Sequence, residues 1–357
     1  MRAITSSPQG LDEVDEVFGY SVLVKALNIN APFRVVQAMV WADVDLVKQR
    51  HGILDDKVHN LPIYVACNLV DATNGNKLSL SRFPERQDCI QLIMNTYKEG
   101  LWQTSDEDTF ALHYLLQYKP PANLVLDMLA CYQQVFPTSI KNILCTIDSK
   151  GQTPIHIALQ NHAPTETIEA LLRNEYRGKD VLRMGDGNKY FPLHMAVFNG
   201  CTAPVLDMLL TRVGDMYNYN NGNKMSALEL AFARDSEPRW MKGFTWADEG
   251  LREDGTDRNG VIRGPPRNLL SQRELVMNMI KAMKDNNDLN SKAEITGPSS
   301  TSIKLTTAKL QKIVRTVKTC KRNVGSKASG DFKAVLKYLE RQFELEEQAR
   351  TALLMER

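Results

Sequence analysis

Histidine and cysteine are the residues through which this chain is best equipped to bind a metal or attack a substrate, and there are six of each in its 357 residues. His113, His156 and His194 stand at the same place in a recurring apolar phrase: Phe110-Ala111-Leu112-His113, Thr153-Pro154-Ile155-His156 and Phe191-Pro192-Leu193-His194. A three-histidine zinc site is the first chemistry that such repetition suggests. It fails on distance, because side chains carried by successive structural units lie on the order of 10 Å apart, whereas zinc holds each nitrogen at ~2.1 Å. His51, His59 and His162 fall in loops. The cysteines, Cys67, Cys89, Cys131, Cys145, Cys201 and Cys320, lack C-x-x-C spacing, and several lie on apolar faces, so they are expected as reduced core residues. No nucleophile stands in phase with a base. Gly185-Asp186-Gly187 is not set between a strand and a helix as a phosphate-binding loop requires, and the acids from Asp248 to Asp257 miss the calcium-loop spacing. The pattern predicts no catalytic residue, no metal and no cofactor.

What positions these residues is a helical framework, and Lys150 to Leu172 shows its unit. Thr153 can accept from the free amides of a first helical turn, and Pro154 sits where its missing N–H is no loss. Ile155, Ala158 and Leu159 give that helix one apolar face, Asp148 and Gly151 upstream have turn chemistry, and after Pro164 a second amphipathic run covers Thr165 to Leu172. A turn and two short helices of this size bury no core alone. Leu209 and Leu210 follow Pro192 by 17 and 18 residues, as Leu171 and Leu172 follow Pro154.

These phrases resemble the ankyrin repeat, whose signature T-P-L-H-x-A recurs at a period near 33 residues. In that register Ser226 to Ala231 and Phe110 to Leu115 are degenerate copies, with Leu61 to Ala66 and Ser21 to Ala26 further upstream, so the proline slot falls at 22, 62, 111, 154, 192 and 227. Every step exceeds the family period, which implies longer loops. Six residues before the slots stand Glu16, Asp56, Ser105, Asp148, Asp186 and Asn221, all turn formers or acids. The resemblance covers residues 12–285 and implies an all-α, ankyrin-type helical solenoid of about six repeats. It also implies that His113, His156 and His194 bond to backbone between neighbouring repeats. Phe110, Phe191 and Leu61 replace the capping threonine, each forgoing ~1 kcal/mol.

Residues 1–11 are expected as a flexible start, 12–285 as the repeats with insertions at about 68–86 and 235–267, 286–302 as a linker, and 303–357 as a C-terminal helical hairpin. Asn74-Gly75-Asn76 in the first insertion suits a plain loop or a small hairpin. In the C-terminal module Lys309, Lys312, Arg315, Lys318 and Arg322 oppose an apolar arc that includes Leu310, Ile313, Val314 and Val317. Eight basic residues and no acid lie between Ile303 and Gly330, whereas the residues before them are net acidic. No apolar run approaches the ~18 residues of a membrane span, and the first twenty residues lack a signal peptide's hydrophobic segment, so an intracellular, cytoplasmic location is the expectation.

The resemblance implies a non-enzymatic interaction or scaffold protein that binds a protein partner through its concave surface. The hairpin tips would carry the contacts: Asp56, Lys57, Asp106, Glu107, Lys150, Gln152, Asn188, Lys189, Tyr190, Asn223 and Lys224. Trp240 and Trp246 in the second insertion either anchor a partner or fold back over the last repeat. The basic segment 304–327 either packs its apolar arc internally with its lysines in water, or binds an acidic protein, an anionic membrane surface or calmodulin. Nucleic acid is disfavoured, because the segment has no aromatic residue for stacking. An array that regulates an enzyme in another chain looks the same in sequence as a scaffold.

Overall fold

The computed structural model describes residues 21–50, 61–71, 74–105, 109–135, 140–173, 181–213, 219–233, 251–272 and 274–282, together with Arg315, Lys318, Thr319, Lys337 and Arg341. The chain is mostly helical, and the described residues contain isolated β-bridges but no named strand. It divides into two compact units, residues 1–187 with 245–268, and residues 188–244 with 269–357. The expected flexible start, the linker and most of the C-terminal hairpin lie outside the described residues.

The first unit is built from helix pairs. These are Val22–Asn28 (α1) with Phe33–Ala42 (α2), Pro62–Cys67 (α3) with Pro84–Thr96 (α4), and Ala111–Leu116 (α5) with Ala122–Val135 (α6). Ile140–Cys145 (α7) then leads into Pro154–Gln160 (α8) and Thr165–Leu171 (α9). Helices of six or seven residues fall below the ~12 needed for stability alone, so packing must hold them. The packing is regular. First helices stack on first helices, α1 on α3, α3 on α5 and α5 on α8, while α2 packs on α4, α4 on α6 and α6 on α9. Leu23, Leu27, Ile63, Leu112, Leu115, Ile155 and Leu159 belong to the first-helix series, and Val36, Ile90, Ile93, Val125, Leu129 and Ile168 to the second, all buried.

Local chemistry starts and stops these helices. Pro62 and Pro154 occupy the first helical turn, and the Ser21 hydroxyl accepts from Val24 N at 3.3 Å. Leu61 and Phe110 make no side-chain capping bond, as their types dictate. α1 and α8 end alike: Asn30 (φ 53°) and His162 (φ 51°) take the left-handed conformation, and Ala31 N and Ala163 N reach back 2.9 Å to Ala26 O and Ala158 O. Pro32 and Pro164 then enter the next helix.

One buried cation ties three helices together. Arg86, 6% exposed, donates from Nε to Ala66 O (2.8 Å), from Nη1 to Leu27 O (2.7 Å), and from Nη2 to Val65 O (2.7 Å) and Asn68 O (3.3 Å). These carbonyls lie at the C-terminal ends of α1 and α3, where the helix dipole favours positive charge; Leu27 O and Val65 O also accept from Asn30 N (3.1 Å) and Asn68 N (3.2 Å). Burial lowers the guanidinium only to about 10, so it stays charged at neutral pH.

The two insertions meet. Val70 bridges Lys77, and Leu78 N donates to Leu69 O (3.0 Å), which makes the Asn74-Gly75-Asn76 segment a small hairpin. Residues 251–267 lie across it as a strap: Leu78 bridges Val261, Ser79 N donates to Gly260 O, and Ile262 N to Lys77 O, each at 2.9 Å. Leu251 and Val261 are buried, and Arg82 pairs with Asp254 at 2.8 Å. Lys119, 3% exposed, donates from Nζ to Asp254 O at 2.6 Å. Desolvation lowers its ammonium from 10.5 to about 8, partly offset by the Asp254 carboxylate.

Lys119→Met keeps the apolar stem and removes this donor. The Ser79 and Ile262 amides are then expected to exchange with solvent about tenfold faster, the scale of one charge-assisted hydrogen bond. The pH dependence has a definite sign. Because the folded chain holds the Lys119 proton less tightly than the unfolded chain, the parent gains stability relative to Lys119→Met as pH rises from about 8 towards 10.5. Denaturant titrations of both proteins across that range measure it.

In the second unit Pro192–Asn199 (α10) packs on Ala203–Val213 (α11) and on Ala227–Ala233 (α12), and a further helix, α13, covers 274–282. Ser226 and Glu229 form a capping box, with Ser226 N donating to Oε2 at 2.7 Å and Glu229 N to Ser226 Oγ at 3.3 Å. Ser271 and Glu274 repeat it before α13 and hold the Glu274 carboxyl below its usual range. Gln272 Nε2 donates to Ala231 O at 3.0 Å, docking α13 on α12.

Candidate functional site

Exposed turns precede the first helices, and they share one geometry. In the turn at 148–152, Asp148 N donates to Gln152 O (2.9 Å), and Asp148 Oδ1 accepts from Lys150 N (2.9 Å) and Gln152 N (2.8 Å). Asn221 repeats it in the second unit: its N donates to Met225 O (2.9 Å) and its Oδ1 accepts from Asn223 N and Met225 N, both at 3.0 Å. Ser105 N likewise donates to Thr109 O at 2.9 Å. The short polar residue six positions before the proline slot therefore closes the turn through its own side chain. Asp257 in the strap forms the same turn, accepting from Asn259 N (2.9 Å) and Val261 N (3.0 Å).

Behind the turns stand the repeated histidines. His113 Nε2 lies 3.2 Å from Thr146 O, ahead of the 148–152 turn, and His194 Nε2 lies 3.1 Å from Met225 O, at the end of the 221–225 turn. A carbonyl accepts only from N–H, so Nε2 carries the proton in both rings. Burial lowers the His113 pKa and keeps that ring neutral. His156 serves its own cap, with Nδ1 accepting from Thr153 N at 3.3 Å and lying 2.7 Å from Thr153 Oγ1. All three rings are 0% exposed. Burial also pushes the thiols of Cys67 to about 12 and Cys89 to about 11, so both stay protonated and unreactive at neutral pH. Among the described residues no three His, Cys, Asp or Glu side chains gather as a metal site.

No protein-family model matches the chain, and no curated protein matches it.

The geometry itself therefore has to say what the surface does. Lys150, Asn188, Lys189, Asn223 and Lys224 are exposed and Tyr190 is half-buried, each on a turn. Gln152 is the exception: it is 8% exposed, and its Nε2 donates to Gln160 Oε1 at 3.0 Å, so it braces the turn against α8 instead of facing outward. Asp56, Lys57, Asp106 and Glu107 lie outside the described residues, as do Trp240, Trp246, Lys309, Lys312 and Arg322. Arg315 and Lys318 are helical and exposed. In the described part of the second insertion Leu251 and Val261 do the anchoring.

The surface also has members that the turn pattern did not mark. Phe198 on α10 is 54% exposed and meets the Tyr190 ring edge-on at 5.9 Å, and Tyr219, 43% exposed, meets Phe191 at 5.8 Å. Their signal was composition: Phe191, Phe198 and Tyr219 surround a helix otherwise filled by small and aliphatic residues. In the first unit a cavity of ≈ 220 Å³ opens beside Phe83 and Arg86, but Arg86 is already committed to backbone carbonyls there.

Proposed function

We propose that the chain is an ankyrin-type helical solenoid and that it works as a non-enzymatic interaction or scaffold protein, binding a protein partner through its turns and the adjoining faces of its first helices. The observation that carries this reading is a recurring donor: an imidazole Nε2 at the fourth residue of the apolar phrase reaching a backbone carbonyl beside the next turn, Thr146 O ahead of the 148–152 turn at 3.2 Å for His113 and Met225 O at the end of the 221–225 turn at 3.1 Å for His194. Stacking of first helix on first helix and second on second supports it, because each pair then buries its apolar face only against neighbours. With His113, His156 and His194 and the thiols of Cys67, Cys89, Cys131 and Cys201 buried, the chemistry on offer among the described residues is the varied, exposed set of turn residues. Such surfaces bind macromolecules by shape and dispersed polar contacts. Buried free cysteines suit a reducing, intracellular setting.

The test is affinity capture from native cell extract with the full chain and with a variant carrying Lys150→Glu, Lys189→Glu and Lys224→Glu. These residues are exposed, so the fold should persist. The proposal expects specific proteins retained by the parent to fall about tenfold or more on the variant. Equal retention by both proteins would remove the turns from the binding surface.

A further inference from the structure

We propose that Lys189, Lys224, Tyr190 and Phe198 of the second unit form a docking site for an extended acidic segment of a partner protein, an apolar side chain of which rests on the two rings while flanking carboxylates meet the two lysines. The inference rests on the repeat-surface reading above and names the class of its partner.

The four residues are brought together by bonds between the two turns. Gly222 N donates to Asn188 O at 3.0 Å, and Asn223 Nδ2 donates to the Tyr190 hydroxyl at 3.0 Å. Tyr190 then holds Phe198 edge-on at 5.9 Å, leaving Phe198 54% exposed. An aromatic pair of this kind, half-covered and fixed by a hydrogen bond at one end, is a preorganised apolar contact.

The lysines are placed against the conformational preference of their residue type. Lys189 and Lys224 both have φ 59°, three residues before the proline slot, where the turn at 148–152 has Gly151 at φ 72°. Glycine takes this conformation freely and lysine does not. Two successive turns thus hold an exposed cation at a position where the backbone favours glycine, and strain retained in this way points to use of the side chain.

The exposed charge around them is basic. Among the described residues of the two turns, α10 and α12, the carboxylates are Asp186, half-buried at the turn-closing position, and Glu229, which is 7% exposed and accepts from Ser226 N at 2.7 Å and Ser226 Oγ at 2.9 Å, whereas Lys189 and Lys224 are exposed. Neither lysine has an ion-pair partner among the described residues. A basic face around exposed rings complements an acidic segment with an apolar residue and repels a basic one.

A random-peptide display library panned on the full chain tests this directly. The proposal expects enriched sequences to place Asp or Glu on both sides of an apolar residue. Synthetic copies should bind K189E/K224E about tenfold more weakly than the parent, with the parent's affinity falling as salt is raised. Enriched peptides without acidic residues, acidic peptides held equally by the double variant, or no enrichment at all would each overturn it. Non-acidic peptides whose binding is lost on Phe198→Ala would overturn the acidic partner while leaving the repeat-surface reading in place. Sedimentation with phosphatidylserine vesicles is the remaining arm: vesicle binding lost in K189E/K224E, without peptide enrichment, assigns the lysines to a membrane and also overturns the proposal.

Discussion

Arg86→Met is expected to lower the unfolding free energy of the first unit by about 3 kcal/mol or more, measured by denaturant titration. The substitution nearly preserves volume and burial, so the cavity contribution is small. What is lost is the guanidinium's donation to Ala66 O and Asn68 O, together with the second donor to Leu27 O and Val65 O, which also accept from Asn30 N and Asn68 N, at the ends of α1 and α3. An unsatisfied buried carbonyl costs ~1–3 kcal/mol, and solvent reaches few of these without moving α4. Arg86→Lys should recover only part of the loss, since an ammonium cannot span the planar fork that serves α1 and α3 together. A near-neutral Arg86→Met would mean that water replaces the guanidinium.

Gly151→Val is expected to be the second most damaging single change, at about 3 kcal/mol, because two independent faults coincide. A β-branched residue at φ 72° is strained in any surroundings. A Cβ at this position would also stand 2.6 Å from Gly187 N, closer than real contacts allow, and the atom it meets is backbone and cannot rotate aside. The 148–152 turn and the segment at Gly187 therefore have to part. The falsifying comparison is Gly151→Asn, which tolerates positive φ: if Asn and Val cost the same, close approach and not conformation dominates, and if neither costs stability the contact is unimportant.

The framework could be read from sequence wherever a local rule acts. Prolines at 62, 154 and 192 open helices in the structure, and Asp148 and Asn221 close turns with their own side chains. These are effects of residue type on backbone within four positions, so spacing alone exposes them. The helical character follows from the same phrases, and the two stacked series then follow from where each phrase puts its apolar face.

Arg86 and the strap were not readable, for the opposite reason. Arg86 fell at the edge of a presumed insertion, whereas α4 begins at Pro84, and nothing near Arg86 in sequence announces that Leu27 O will lie 2.7 Å away. The strap pairs Leu78 with Val261 across the chain, and its few apolar residues sit in a polar, acidic run that composition assigns to solvent. One signal was available. Asp257-Arg258-Asn259-Gly260 has the spacing of Asp148-Ser149-Lys150-Gly151, and the two segments form the same turn. The aromatic surface at Tyr190 and Phe198 needed three dimensions, because the two lie eight positions apart, one on a turn and one on a helix, but their rings meet.

The central claim is that this protein meets its partner through the turns, and position-specific photo-crosslinking tests it most directly. A photoreactive amino acid is placed in the full chain at 150, 189 or 224 on the turns, and at 88 or 207 on exposed positions of α4 and α11. In native extract the account predicts a discrete higher-mass adduct from the three turn positions and none from the other two. Adducts from 88 or 207 with none from the turns would contradict it and move the binding surface to the second helices.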